Sequence, residues 1–326
     1  MGALDVINLF SGLGLFLYGM KVLGDGLEKA AGQRMQSIIE ALTGNVFKGV
    51  LVGILSTALV QSSSAITVMA VGFVNAKVMT LYQAVGIILG SNIGTTVTAQ
   101  ILRLSDIQST GILSFFKPDY LAPLSVAVGA VFLMFIRNKK YGDAGLIFMG
   151  FGVLFIGMDT MENSVSVLKD MPEVAAVFSA MGKIPAFGIA TGAIVTAILQ
   201  SSSASVGILQ AVASGGFIDF AAAVPIILGQ NIGTCITALI SSIGTSKNAR
   251  RTAIIHLAFN VIGVVVATIV IYSINEIFGI PGWHNTATRG SIADFHTLFN
   301  VAAVVIILPF NKILVKIACA VVGDDK

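Results

Sequence analysis

Gln61-Ser62-Ser63-Ser64-Ala65 interrupts an apolar run that extends from Val46 to about Ala76. The same five letters return as Gln200-Ser201-Ser202-Ser203-Ala204, again inside an apolar run. Each copy is followed at one common distance by a second shared phrase, Gly90-Ser91-Asn92-Ile93-Gly94-Thr95 and Gly229-Gln230-Asn231-Ile232-Gly233-Thr234. A single shift of 139 residues aligns both phrases without a gap, and 21 of the 49 positions from Gly53 to Ile101 are identical to their partners. The chain is therefore a duplicated unit, and the polar phrases are what both halves kept.

Hydrophobic residues make up 56% of the chain and charged residues 11%, against roughly 25% charged for a soluble domain. That composition indicates an integral membrane protein, and runs longer than the ~17 residues of a spanning helix favour helices over a barrel. The 35 glycines suit close helix packing and broken helices. Residues 1–20 lack a basic leader and a small-residue cleavage site, so they are expected to form the first helix rather than a signal peptide. Cys235 and Cys319 lie in apolar segments without ligand partners nearby, as small buried hydrophobes do.

Taken in order, residues 6–20 predict a first spanning helix, and 24–44 an amphipathic helix at the membrane surface. The two arms around Gln61 are each too short to cross a core ~30 Å thick. They predict a re-entrant hairpin, about 46–76, with the serines at its tip. Thr80 is the expected N-cap of the next helix, about 80–102, broken near Gly90 to Thr95. Lys117-Pro118-Asp119 opens a third spanning helix that ends at Arg137-Asn138-Lys139-Lys140. The second unit repeats the plan. Gly150 to Met158 echoes Gly12 to Met20, residues 162–183 supply a surface segment, and a second hairpin covers about 186–215. Asp219 caps a second broken helix, about 219–242.

The expected architecture is thus all-α: a polytopic membrane protein with two inverted-topology repeats, each with a re-entrant helical hairpin and a broken transmembrane helix. Residues 1–140 form the first repeat and 141–250 the core of the second. Residues 251–326 supply two further transmembrane helices, about 252–272 and 291–309, and a short cytoplasmic tail. If hairpins do not cross, one side of the membrane holds 14 Lys or Arg and the other five. The positive-inside rule then puts the N-terminus outside and the C-terminus in the cytoplasm. Three crossings separate the halves, which inverts one relative to the other.

Serines at the start of a hairpin's second arm leave first-turn N–H groups free, at the positive end of the helix dipole, where an anion is favoured. Neither stretch carries a Lys or Arg to neutralise it. The balancing charge must travel with the substrate. Asn-Ile-Gly-Thr among glycines invites unwinding, and its carbonyls together with Asn92, Thr95, Thr98, Asn231, Thr234 and Thr237 offer neutral oxygens to a small hard cation such as sodium. Gln61 and Gln200 can serve either ligand. Each ion would offset the other's desolvation, which couples them.

A single serine patch in a membrane helix would signify close packing alone, and Gly90 with Gly94 a helix contact. Two copies in register, each with Gln and Asn-Ile-Gly-Thr, favour a site. A further phrase, Ala253-x-x-His256-x-x-Phe259-Asn260, recurs as Ala293-x-x-His296-x-x-Phe299-Asn300. Its histidines are expected to make interhelical hydrogen bonds, the alternative being a proton or gate element.

The paired Gln-Ser-Ser-Ser phrases, each followed by Gly-x-Asn-Ile-Gly-Thr in an inverted repeat, resemble the type II sodium/phosphate cotransporter family, particularly its bacterial branch, over roughly residues 6–310. The resemblance implies sodium-driven import of inorganic phosphate, no enzymatic activity, and no cofactor beyond sodium as coupling ion. It implies phosphate contacts from Ser62, Ser63, Ser64, Ser201, Ser202 and Ser203, to which Asn92 and Asn231 are added, and sodium ligation by Gln61, Gln200, Thr95, Thr98, Thr234 and Thr237. It also implies the bacterial inner membrane, a homodimer or a monomer, and a PhoU-like regulator as partner. Many bacterial members continue into a PhoU-like domain, whereas this sequence stops at Asp324-Asp325-Lys326. Electrogenic animal members carry an aspartate after the first phrase that Ala65 to Asn75 lacks, and a disulfide-closed loop between the halves that is absent here. Competing expectations are a sodium-coupled carrier of another oxyanion and, in a different class, a membrane-embedded serine enzyme. No Gly-x-Ser-x-Gly is present to support the enzyme.

Overall fold

The computed structural model of the chain describes residues 2–31, 45–106, 118–136, 138–166 and 171–323. Among these, regular structure is helical, with one isolated antiparallel bridge between Asp219 and Thr286 and no strand. The helices are α1 (Ala3–Ala31), α2 (Val46–Val60), α3 (Ser63–Asn75), α4 (Leu81–Leu102), α5 (Pro118–Phe135), α6 (Lys139–Val165) and α7 (Pro172–Lys183). They continue as α8 (Pro185–Leu199), α9 (Ser202–Ser214), α10 (Phe220–Gly233), α11 (Cys235–Ser241), α12 (Lys247–Phe278), α13 (Arg289–Ile307) and α14 (Asn311–Val322). Among the described residues, six stretches are long and apolar enough to cross a membrane: Ala3–Ala30, Leu81–Leu102, Tyr141–Val165, Phe220–Ser241, Lys247–Phe278 and Arg289–Val322. The chain is a multi-pass membrane protein.

Local chemistry sets the boundaries. Thr80 caps α4 in a reciprocal box with Gln83, and Asp219 Oδ1 accepts from Ala222 N at 2.9 Å to cap α10. Pro185 cannot continue α7, so the chain turns by 111° into α8. Pro309 likewise ends α13 in a 3-10 turn, Leu308–Phe310.

Four expectations are corrected. The first helix does not end near residue 20. It runs to Ala31 because its packing on α6 continues that far, with Gly26 against Ile147. Residues 32–44 of the predicted surface segment, and Lys117, Arg137 and Asp324 to Lys326, lie outside the described residues. The segment 80–102 is not broken: α4 is one unbroken helix. The segment 219–242 is interrupted only at Thr234, which keeps right-handed helical dihedrals (φ −58°, ψ −27°), so Phe220–Ser241 remains one span. Lastly, the first late helix is longer than expected, Lys247–Phe278, the second keeps its expected length at Arg289–Ile307, and the short tail contains α14. Leu314, Val315 and Ala318 of α14 are buried, and Arg251 Nη2 donates to Gly323 O at 2.6 Å.

The echo between residues 12–20 and 150–158 has a structural meaning: the two matching helices, α1 and α6, pack on each other. A Cβ on Gly19 would stand 2.3 Å from Leu154 N, and one on Gly157 2.3 Å from Phe16 N. Only glycine permits that approach. Phe16, fully buried, rests its ring on Gly207 of α9, which joins this pair to the second hairpin. Gln210, also fully buried, donates Nε2 to Ala99 O (3.2 Å) and Arg289 O (3.0 Å), binding α9 to α4 and α13. Gln210→Leu leaves both carbonyls short of a donor and is expected to cost ~1–3 kcal/mol. A lowered unfolding temperature in detergent checks this.

Candidate functional site at the serine tips

Each serine phrase is a helix end followed at once by a helix start. Gln61 closes α2 in the left-handed region (φ 56°, ψ 24°), its N–H on Thr57 O, and Gln200 closes α8 the same way (φ 55°, ψ 22°) on Thr196 O. A non-glycine residue there costs ~1–2 kcal/mol, and the strain recurs at equivalent positions. Ser62 and Ser201 then cap α3 and α9, accepting from Ala65 N and Ala204 N at 3.2 Å each. Both new helices begin at the tip with their N–H groups and positive dipole ends.

The two tips touch. Ser64 Oγ donates to the main-chain oxygen of Gln200 at 3.2 Å, spanning 136 positions of sequence. Ser203 Oγ donates to Thr98 Oγ1 (3.3 Å), and Thr98 Oγ1 to Gln61 Oε1 (2.7 Å). One continuous polar chain therefore links tip one, α4 and tip two. Equivalent residues are used unequally: Gln61 is buried and Gln200 exposed, and the hydroxyl of Thr237, the counterpart of Thr98, has no partner among the described residues. Among the described residues no three His, Cys, Asp or Glu side chains cluster as metal ligands. A cation at the tips meets hydroxyl, amide and carbonyl oxygens.

The Asn-Ile-Gly-Thr phrases do something other than unwind. Asn92 and Asn231 donate Nδ2 to Ile88 O and Ile227 O at 2.9 Å, and Thr95 and Thr234 donate to Ser91 O and Gln230 O at 2.9 Å. These back-bonds lie within spans that stay helical, so the carbonyls of the phrases are not freed by unwinding. The glycines instead form a seam with the first arm of each hairpin. A Cβ on Gly90 would lie 2.0 Å from Val50 O, and one on Gly229 2.0 Å from Ile189 O. Of the sequence candidates, Gln61, Ser64, Thr98, Gln200 and Ser203 are joined directly by hydrogen bonds. Ser63 and Ser202 lie buried beside them in the first turns of α3 and α9. The polar hydrogens of Asn92, Thr95, Asn231 and Thr234 stay within their own helices.

Residues 15–163 and 169–280, which include both serine tips and both Asn-Ile-Gly-Thr phrases, match the profile of the family described as Na+/Pi-cotransporter. The chain belongs to the Na+/Pi-cotransporter family. It is 29% identical over 304 residues to the uncharacterized protein YqeW of Bacillus subtilis, covering 93% of both chains. It is 24% identical over 322 residues to the putative inorganic phosphate export protein YjbB of Escherichia coli O157:H7, covering 99% of this chain but 56% of that one. A shorter match, 40% over 103 residues, falls on the sodium-dependent phosphate transport protein 2A of Ovis aries, covering 31% of this chain and 16% of that one. No solved structure matches.

Two further residues of this family member belong to the tips and were not singled out from the sequence. Thr57 and Thr196 sit four residues before each Gln, at most 1% exposed, and their hydroxyls meet no partner among the described residues. Their carbonyls carry the strained caps at 2.7 Å. The signal was available, since both are identical across the repeat.

Proposed function

We propose that this chain is a sodium-coupled secondary transporter of inorganic phosphate. The observation that carries the reading is the hydrogen bond from Ser64 Oγ to Gln200 O, which brings two helix starts with free N–H groups to one place. Phosphate would be held between the six tip serines with Asn92 and Asn231 nearby, and sodium by Gln61, Gln200, Thr95, Thr98, Thr234 and Thr237. No Lys or Arg occurs in 61–76, 80–102 or 200–241, so the anion's charge is balanced by co-bound cations. Each ion lowers the other's desolvation cost. Similarity to the sodium-dependent phosphate transport protein 2A of Ovis aries supports the same pairing. The two hairpins are read as re-entrant within inverted repeats, in the inner membrane, with the N-terminus outside.

Import is the direction proposed, because an inward sodium gradient drives a symporter inward. YjbB is described as a putative inorganic phosphate export protein, and a carrier runs down the summed gradients in either sense. The test is uptake into proteoliposomes. Labelled phosphate should accumulate under an inward sodium gradient, and Ser63→Ala or Ser202→Ala should lower the rate about ten- to a hundredfold, the loss expected for one charge-assisted hydrogen bond of ~1.5–3 kcal/mol. Equal accumulation with potassium in place of sodium would remove the coupling. Phosphate failing to compete with labelled sulfate or arsenate would favour another oxyanion.

A further inference from the structure

The third duplicated phrase lies on α12 and α13. Ala253, His256, Phe259 and Asn260 on α12, and Ala293, His296, Phe299 and Asn300 on α13, are all buried, none more than 6% exposed. In each copy the Asn donates Nδ2 to the carbonyl of its own His at 2.9 Å. The interhelical bonds expected of the histidines are not made. His256 Nδ1 and Nε2, His296 Nδ1 and both Asn Oδ1 atoms meet no hydrogen-bond partner among the described residues. The thiol of Cys235 lies beside the Asn260 side chain.

Each copy is tied to the helix of one polar phrase. The Cys235 thiol, next in sequence to Thr234, sits 3.7 Å from Asn231 O and 3.6 Å from His256 O, so the turn at His256 rests on the second Asn-Ile-Gly-Thr phrase. On the other half, Gln100 Nε2 donates to Thr297 Oγ1 at 2.9 Å, and Arg103 pairs with Asp294. These contacts fix α13 on α4 on either side of His296, one turn beyond Thr95 to Thr98. The helix of the first copy also touches the second copy. A Cβ on Gly263 would lie 3.6 Å from Phe299 Cζ and 3.5 Å from Ala303 Cβ, next to the two asparagines.

Apolar helices would pack here at less cost with Leu and Phe alone, since an unmet buried polar atom costs ~1–3 kcal/mol. The cost recurs at equivalent positions of a duplicated phrase. Asn Oδ1 atoms without donors leave the negative ends of their dipoles unneutralised in a low dielectric, which favours a cation and disfavours an anion. We infer that His256–Asn260 and His296–Asn300 are positioning residues for cation binding, backing the polar-phrase helices and setting sodium affinity without touching phosphate. This rests on the sodium-coupled reading above.

The test is a sodium titration of phosphate uptake by the reconstituted full chain, paired with sodium-induced thermal protection measured without phosphate. Asn260→Leu and Asn300→Leu keep the volume and remove the amide. Each is expected to raise half-saturating sodium about tenfold, the scale of outer-shell effects on metal affinity, with the phosphate KM at saturating sodium unchanged. Asn260→Asp and Asn300→Asp keep the acceptor but lose the Nδ2 donor, and are expected to hold or lower half-saturating sodium. If the Leu variants do not fold, the Asp variants decide: half-saturating sodium raised in them assigns the phrase to helix packing alone. Unchanged sodium dependence in folded Leu variants overturns the inference while leaving the transporter reading intact. Wild-type protein with neither sodium-dependent uptake nor sodium protection would overturn both.

Discussion

Gln61→Gly is expected to leave the protein about as stable as before and to reduce sodium-dependent phosphate uptake at least tenfold. The stability side follows from the backbone. Gln61 holds a left-handed conformation at a helix end, where glycine is the favoured residue. Relief of that strain, ~1–2 kcal/mol, largely offsets the loss of two bonds, from Thr98 to Oε1 and from Nε2 to Ala58 O, worth ~0.5–1.5 kcal/mol each. The transport side follows from the side chain, whose Oε1 is the acceptor that connects tip one to Thr98 and through it to Ser203. Gln200→Gly loses no side-chain hydrogen bond identified here and should gain stability outright, with a similar loss of uptake. Unfolding temperature and initial uptake rate, measured on the same preparations, check both halves. Retained transport in both glycine variants would reduce the glutamines to helix caps.

Gly90→Ala is expected to be among the most destabilising single-methyl additions in the chain, costing ~3 kcal/mol or more. The added Cβ would stand 2.0 Å from Val50 O and 2.8 Å from Val50 C, and both are main-chain atoms of a helix that cannot rotate away. Gly229→Ala meets Ile189 O and C at 2.0 and 2.7 Å, so the two halves should fail alike. Separation of α2 from α4 would also part Gln61 from Thr98. Gly72 is the control: nothing lies within 4 Å of its missing Cβ, and Gly72→Ala in a helix interior should gain ~0.5–1 kcal/mol. The fraction of folded protein after extraction, with thermal unfolding, reports the difference. A Gly90→Ala protein as stable as Gly72→Ala would mean the α2–α4 seam is looser than its geometry.

The duplicated serine phrase announced its own geometry because a helix cannot run through Gln-Ser without a cap, and Ser62 and Ser201 are good caps. Thr80 and Asp219 were legible for the same reason. The glycine-rich phrase was ambiguous. Gly90 and Gly94 read equally as an unwound segment and as a contact surface, and the deciding partners, Val50, Ile54 and Thr57, lie in another helix. The full extent of α1 was hidden because Gly24 to Lys29 looks interfacial until α6 is seen beside it. His256 and His296 were read as interhelical donors because a buried imidazole usually finds a partner. Asn260 and Asn300 donate to the main-chain oxygens of those same histidines, and both imidazole Nδ1 atoms lack a partner among the described residues.

Thr98 is engaged and Thr237 idle, and Gln61 is sheltered where Gln200 is not, although the two halves are spelled alike. Identical lettering gives either half the means to fill either role, so trading roles exchanges one side-chain bond of about 1 kcal/mol for its twin. Such a pair behaves as a balance beam with matched pans, tipped by whichever small weight is added last.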